Sequence, residues 1–319
     1  MLRWTDLSQI PQGFGPSVVT LGNFDGVHRG HRAVLSAVVE QARARDAHAV
    51  AVTFDPHPVA VLHPEKAPQT ITPLPLRLEL LAATGLDGVL VMEFTRELAA
   101  WTPEHFVEEV FVRALGASAV VVGEDTRFGV RNSGAVSTLR ELGGKHGFDV
   151  VVLQDLGGDT RWSSSTVRRL VIAGDVSGAA EILGRPHRVS GTVVHGDHRG
   201  RELGYPTANL SQDASGLVPA DGVYAGWLLR TDLPEADQDR TLPAAISIGT
   251  NPTFDGHQRR VEAYALDRTD LELYGENVSV ELVERLRPTE KFDSVEALLE
   301  QMERDVEQCR SVLSSIVPS

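Results

Sequence analysis

Five short runs in the first 154 residues are β-branched and apolar on both faces: SVVTL (17–21), AHAVAVTF (47–54), DGVLVMEF (87–94), SAVVVGE (118–124) and DVVVLQ (149–154). A strand with one wet face alternates apolar and polar residues; a strand that is apolar on both sides must be covered on both. Helical patterns fill the gaps. HRAVLSAVVEQARAR (31–45) carries a stripe of Val34, Leu35, Val38 and Val39. TPEHFVEEVFVRALG (102–116) offers Thr102 as N-cap, Pro103 at the first helical position and a stop at Gly116. Repeated strand–helix–strand order predicts a doubly wound α/β domain.

The pattern changes near residue 184. LGRPHR (183–188) has the Gly and Pro of a linker, and the helical period then vanishes for roughly a hundred residues. VYAGWLL (223–229), LPAAISIG (242–249), RVEAYAL (260–266) and VSVELVERL (278–286) read as strands, with DLPEADQD (232–239) as a polar hairpin loop. Such spacing predicts a small sheet or barrel. The segment 293–313 closes the chain with an amphipathic helix capped by Asp293 or Ser294. The expected domains are 1–186 and 187–319.

A chain of 319 residues with 42% hydrophobic and 23% charged content suits two globular domains. The formal net charge of −14 argues against a nucleic-acid partner, whose phosphates need a basic surface. No apolar run is long enough to span a bilayer, and the N-terminal residues MLRWTDLSQIPQGFG do not read as a signal peptide. The single Cys309 permits no internal disulfide and fits a reducing cytoplasm. Assembly into a homo-oligomer is left open.

The chemistry of the first domain centres on LGNFDGVHRGH (21–31), at the end of the first strand and the start of a helix. Ligands of open α/β sheets bind at strand carboxyl ends, and a helix N-terminus offers unpaired N–H groups to an anion. There is no P-loop and no dinucleotide fingerprint. His28 and His31 remain, three residues apart. That spacing fits a phosphate grip, a helix cap or, less well, a metal, for which a third ligand is wanting. TFDPHP (53–58) and VGEDTRFG (122–129) also end strands, and RWSSSTVRRL (161–170) places hydroxyls and Arg168 at another helix start, where N-capping alone accounts for one serine.

In the second domain, GTVVHGDHRGRELGYPTANL (191–210) sets Thr207 and Asn209 two apart in extended chain, so both point one way. Their neutral oxygens suit Mg²⁺, and the same segment also reads as a polar barrel loop with a proline turn. In RRVEAYAL, Val261 and Ala263 face one side, Glu262 and Tyr264 the other. A lone glutamate in an apolar strand needs a partner or a function. It could serve as a general base, or pair with Arg199, Arg201, Arg259 or Arg260.

These motifs, in this order, resemble the bacterial bifunctional riboflavin kinase/FAD synthetases over nearly the whole chain. The first half resembles their adenylyltransferase, a Rossmann-like nucleotidyltransferase fold; the second resembles their riboflavin kinase, a small Greek-key β-barrel. The resemblance implies ATP and Mg²⁺, with riboflavin, FMN and FAD as substrates or products. It implies that His28 and His31 hold the ATP phosphates, with Arg168, Ser164, Asp125 and Arg161 completing the nucleotide site and Pro56 and Pro58 bordering the flavin. Gly22, Phe24, Asp25, Gly26, Asp55 and Phe128 come with the same motifs. In the second half it implies that Thr207 and Asn209 assist magnesium and that Glu262 activates the riboflavin hydroxyl, with Gly191, His195, Gly196, Arg199, Tyr205, Pro206, Asn251 and Thr253 binding ligand. Thr126 and Ser165 depart from the family pattern, which usually has an aromatic residue and Thr there. The competing expectation is an adenylyltransferase whose barrel only senses flavin.

Overall fold

The computed structural model describes residues 1–154, 162–196, 204–253 and 256–316. The chain divides into two compact units, Met1–Ser163 and Ser164–Ser319.

The first unit is built on six parallel strands in the order β1-β4-β3-β2-β5-β6: β1 (Leu2–Trp4), β2 (Ser17–Leu21), β3 (His48–Asp55), β4 (Gly88–Glu93), β5 (Ala117–Gly123) and β6 (Asp149–Leu153). Side chains alternate between two cores. Val19, Val50, Val52, Leu90, Met92, Val120 and Val122 face one layer, and Val18, Ala49, Ala51, Val89, Val91, Ala119 and Val121 face the other. Helices α1 (Arg29–Ala44) and α3 (Leu74–Ala82) cover the second set through Leu35, Val38, Ala42 and Leu81. The first set is covered by Phe106, Val107, Val110, Phe111, Leu139 and Leu142, from the segment after Thr102 and from α5 (Val136–His146). Each fully buried aliphatic contributes roughly 1.5–3 kcal/mol, so two filled layers fix the sheet.

Thr102 does cap its helix, accepting from the His105 N–H at 3.2 Å, with Pro103 next. Only α4 (Pro103–Phe106) is α-helical; Val107–Ala114 continues as a π-helix. A short helix α2 (Pro58–Leu62) follows β3.

The second unit begins with α6 (Ser164–Ala173) and α7 (Val176–Leu183). The change in sequence pattern puts a domain boundary at 186/187, whereas the compact units divide at 163/164. Val176 of α7 lies in the barrel core itself, which ties these helices to the strands after them. The barrel closes in the order β10-β11-β8-β7-β12-β9, all antiparallel: β7 (His187–Val194), β8 (Ala208–Leu210), β9 (Gly222–Arg230), β10 (Thr241–Thr253), β11 (Gly256–Ala265) and β12 (Asn277–Arg287). Strands β9, β10 and β11 are consecutive, and β12 returns beside β9, which is a Greek key. The C-terminal helix, Val295–Leu313, starts at Ser294, whose Oγ accepts from the Ala297 N–H at 3.1 Å. It covers Ala225, Trp227 and Leu229 on the outside of the barrel with Val306, Cys309 and Leu313.

Candidate active sites

Chain order in the first sheet reverses between β2 and β5: β3 and β4 lie on one side of β2, and β5 and β6 on the other. The carboxyl ends of β2 and β5 therefore flank the switch point, where this fold class opens a crevice. The loop 22–28 leaves β2 there and ends on His28, the N-cap of α1. His28 Nδ1 accepts from the His31 N–H at 3.3 Å. An accepting Nδ1 puts the proton of the neutral ring on Nε2. The His28 and His31 rings stack with centroids 3.6 Å apart and planes 20° apart. Capping and an imidazole pair at a helix start are thus both present.

Desolvation, and then the neighbouring His28, hold the His31 imidazole well below its usual range. His31 Nδ1 is buried with no hydrogen-bond partner among the described residues. Phe24 meets the His31 ring edge-on at 5.3 Å. A Cβ at Gly30 would stand 3.2 Å from the His28 ring, so a side chain there would press on the pair.

The loop is strained. Phe24, Gly26 and Val27 have φ of 48°, 91° and 40°, and a β-branched residue in that region is an outlier costing about 1–3 kcal/mol. Neighbouring structure holds it. The Asp25 carboxylate, expected to bind cofactor, is 3% exposed and accepts from the N–H groups of Ile71 and Thr72 and from the Thr72 hydroxyl at 2.8–3.1 Å. Gly26 N–H donates to Thr72 Oγ1 at 2.8 Å. These bonds make Asp25 a strut of the loop.

At the end of β3, Asp55 Oδ1 lies 3.3 Å from the guanidinium of Arg77. Pro56 follows a cis peptide, and Pro58 opens α2 behind the N-cap His57. The His57 ring also meets the Asn23 amide at 3.3 Å, joining this loop to loop 22–28. Arg77, which sequence reading missed, donates to the carbonyls of Asn23 and Phe54. Its signal was a cation inside the apolar helix LPLRLELLA.

Asp125 follows β5 at the other side of the crevice, its carboxylate folded back so that a Cβ added at Gly123 would stand 3.3 Å from Oδ1. Phe128 is 5% exposed and packs in the core with Phe106, so its role is internal. Trp162 runs against the start of α1, under the Arg29 guanidinium at 5.9 Å. Ser164 and Arg168 follow on α6, in the second unit. Arg161, Arg199 and Arg201 lie outside the described residues, as do the side chains of Asn251 and Thr253 on β10.

In the barrel, the alternation of β11 is as expected: Val261 and Ala263 are in the core, while Glu262 and Tyr264 point away. Antiparallel register sets Glu262 directly across from Asn209, so both side chains share a face. The Asn209 Nδ2 donates to Thr207 Oγ1 at 3.2 Å. Gly196 lies so close that a Cβ there would fall 2.6 Å from Asn209 Nδ2. His195 packs its ring on Tyr274 at 4.0 Å. Gly191 lies in β7, opposite Val278. Tyr205, ahead of Pro206, meets Tyr264 edge-on at 5.2 Å, and the two border a cavity of about 500 Å³ against Glu303, Glu307 and Arg310. Arg259 pairs with Asp221 at 2.8 Å and donates to the Val218 carbonyl, which removes it as the salt-bridge partner of Glu262.

A hydroxyl, an amide and one carboxylate on a shared face are hard oxygen donors. They fit a cation that keeps most of its shell from water and phosphate, as Mg²⁺ does. No cluster of three His, Cys, Asp or Glu able to hold a metal exists among the described residues.

The family model described as FAD synthetase matches residues 11–167, and that described as riboflavin kinase matches residues 183–313. The "Bifunctional riboflavin kinase/FMN adenylyltransferase" of Escherichia coli (strain K12) is 37% identical over 301 residues, 94% of this chain and 93% of its own. The chain belongs to the bifunctional riboflavin kinase/FMN adenylyltransferase family. The protein of that name in Listeria monocytogenes is 34% identical over 317 residues, 98% of this chain and 95% of its own. A solved chain from Streptococcus pneumoniae, described as a macrolide-efflux protein, superposes with a TM-score of 0.85 at 31% identity, covering 97% of this chain and 98% of its own. Efflux is that protein's description; among the described residues of this family member, no helix is long and apolar enough to cross a membrane.

Proposed function

We propose that the chain makes flavin cofactors in two steps: riboflavin and ATP give FMN and ADP in the barrel, then FMN and ATP give FAD and pyrophosphate at the α/β site. The first step is assigned to residues 187–319 and the second to residues 1–186. One observation carries the two-step reading over a flavin-sensing barrel. Glu262 stands across from Asn209, beside Thr207, a carboxylate base next to phosphate-side oxygen donors.

In the first step, the Glu262 carboxylate takes the proton of a riboflavin hydroxyl as its oxygen attacks the γ-phosphorus and the bond to ADP breaks. Thr207 and Asn209 would hold Mg²⁺, which when bound would neutralise charge on the phosphate oxygens. Tyr205 and Tyr264 offer aromatic surface on the same side. In the second step, an FMN phosphate oxygen attacks the α-phosphorus of ATP and pyrophosphate leaves. His28 and His31 donate to the oxygens where charge grows, at the positive end of α1. Asp125, Ser164, Arg168 and Arg161 hold the nucleotide, and Pro56 and Pro58 border the flavin. Neither step needs a covalent enzyme intermediate. A sequence with one cysteine, buried and unable to form an internal disulfide, is in keeping with a cytoplasmic site of action.

The test is a time course with riboflavin, ATP and Mg²⁺ analysed by chromatography. FMN should appear first and FAD after it. Formation of FAD from added FMN, but no FMN from riboflavin, would reduce the barrel to a sensor.

A further inference from the structure

Arg77 is a guanidinium buried inside an apolar helix, with its side chain only 5% exposed. Burying that charge is costly, and Asp55, the one carboxylate paired with it among the described residues, has a side chain 42% exposed. The ion pair is therefore at the rim, and the buried part of the fork does something else. One terminal nitrogen donates to the Phe54 carbonyl at 2.9 Å, to the Asn23 carbonyl at 3.2 Å and to Thr53 Oγ1 at 3.4 Å. The other reaches Asp55 Oδ1 at 3.3 Å.

Asn23 and Phe54 belong to different segments. Asn23 lies in the loop that ends on the stacked imidazoles, and Phe54 is the next-to-last residue of β3, just ahead of Asp55, Pro56 and Pro58. The two strands are parallel neighbours, so both carbonyls emerge at one edge of the sheet. The Thr53 hydroxyl donates to the same Asn23 carbonyl at 3.1 Å. A planar fork can hold two carbonyls and a carboxylate at fixed separation; an ammonium is a single point, and a methionine has no donor.

We propose that Arg77 is a positioning residue for adenylyl transfer: it fixes the spacing between the imidazole-bearing loop and the proline loop, and so between the ATP phosphates and the flavin phosphate. The inference rests on the activity proposed above for this site. In-line attack needs the reacting atoms about 3–3.5 Å apart, and an error near 1 Å costs about 10²-fold. The spacing matters little for binding either substrate alone. Arg77 thus acts on kcat more than on affinity.

The experiment uses the full chain with Arg77→Lys, Arg77→Met and Thr53→Val. FAD formation from FMN and ATP, ATP affinity by calorimetry, and FMN formation from riboflavin are measured on each. Both Arg77 variants should lose about 10- to 100-fold in kcat for FAD formation, with the ATP Kd and the riboflavin kinase rate within about threefold of the parent. Thr53→Val, a change of similar shape, should lose a smaller amount in the same parameter, which keeps the inference testable if Arg77 variants do not fold. Variants that bind ATP normally and make FAD within twofold of the parent overturn the inference alone. So does a loss of FAD formation that only follows lost ATP binding, which would mark Arg77 as structural. A parent chain that makes no FAD overturns the activity assigned to the site, and the inference with it.

Discussion

His28 gives Nδ1 to the start of α1, so its substitution touches fold and chemistry together. His28→Ala should lose FAD formation and about 1 kcal/mol of stability with the cap, while His28→Asn, which can still cap, loses only the activity. FMN formation, sited in the barrel, should persist in both; chromatography of products and urea unfolding separate these effects. Its partner His31 predicts a pH dependence. The folded imidazole titrates well below its unfolded value, so below about pH 6.5 the unfolded chain binds a proton that the folded site refuses. The stability from this residue is complete above that pH and falls as pH drops beneath it. Urea midpoints from pH 7 to 5 should fall less steeply in His31→Gln. A bound triphosphate favours the imidazolium, so ATP binding near pH 6 should take up protons, seen as a binding heat that changes with the buffer. In the barrel, Glu262→Gln should slow FMN formation by about 10² or more and leave FAD formation from added FMN intact. A near-normal kinase rate would make Glu262 structural. The placement of a residue was legible where the side chain ends an element or faces outward: His28, Thr102 and Ser294 each cap a helix, and Glu262 leaves the barrel core to Val261 and Ala263. It was illegible at Asp25 and Phe128: a carboxylate 3% exposed and an aromatic 5% exposed look, as letters, like ligand-facing residues.

At the scale of elements, the doubly apolar strands β2 to β6 were readable because both faces are covered, and no other arrangement buries them. The π-helix at Val107–Ala114 was not, since over eight residues an apolar stripe fits either winding. Strand β8 escaped because it has three residues within a polar motif. The C-terminal helix is fastened by a partly hidden ion pair that its amphipathic pattern does not reveal. Arg287 on β12 makes a two-pronged bond to Asp305 at 2.7–2.9 Å, and Gln301 donates to the same carboxylate at 2.8 Å. Asp305 is 4% exposed. Asp305→Ala leaves a guanidinium without its counter-charge and should cost about 3 kcal/mol in chemical unfolding. An unchanged unfolding midpoint would show that the pair is exposed to water in solution.

At the scale of the molecule, each unit carries its own core, and the single thiol reports on only one of them. Cys309 is buried between helix and barrel, and burial pushes the thiol up to about 12. Alkylation at neutral pH should be negligible in the native chain and rapid once the second unit opens, a contrast that mass spectrometry reads directly. Substitutions at His28 should not alter it. The barrel, finally, is a ring of six strands in which β8 is by far the shortest stave, joined to β11 through two residue pairs and to β7 through two more. One of the two pairs to β11 is Asn209 with Glu262. The two residues proposed above to serve phosphoryl transfer therefore straddle the seam at which the hoop is most easily sprung. A substrate that touches both sides acts as a stitch across that seam. At a hundred times its dissociation constant it would hold the hoop shut by about 2.7 kcal/mol. Riboflavin kinase turnover in this chain would then involve repeated unpicking and restitching of its own barrel, with the β8 amides the first to exchange hydrogen whenever the site stands empty.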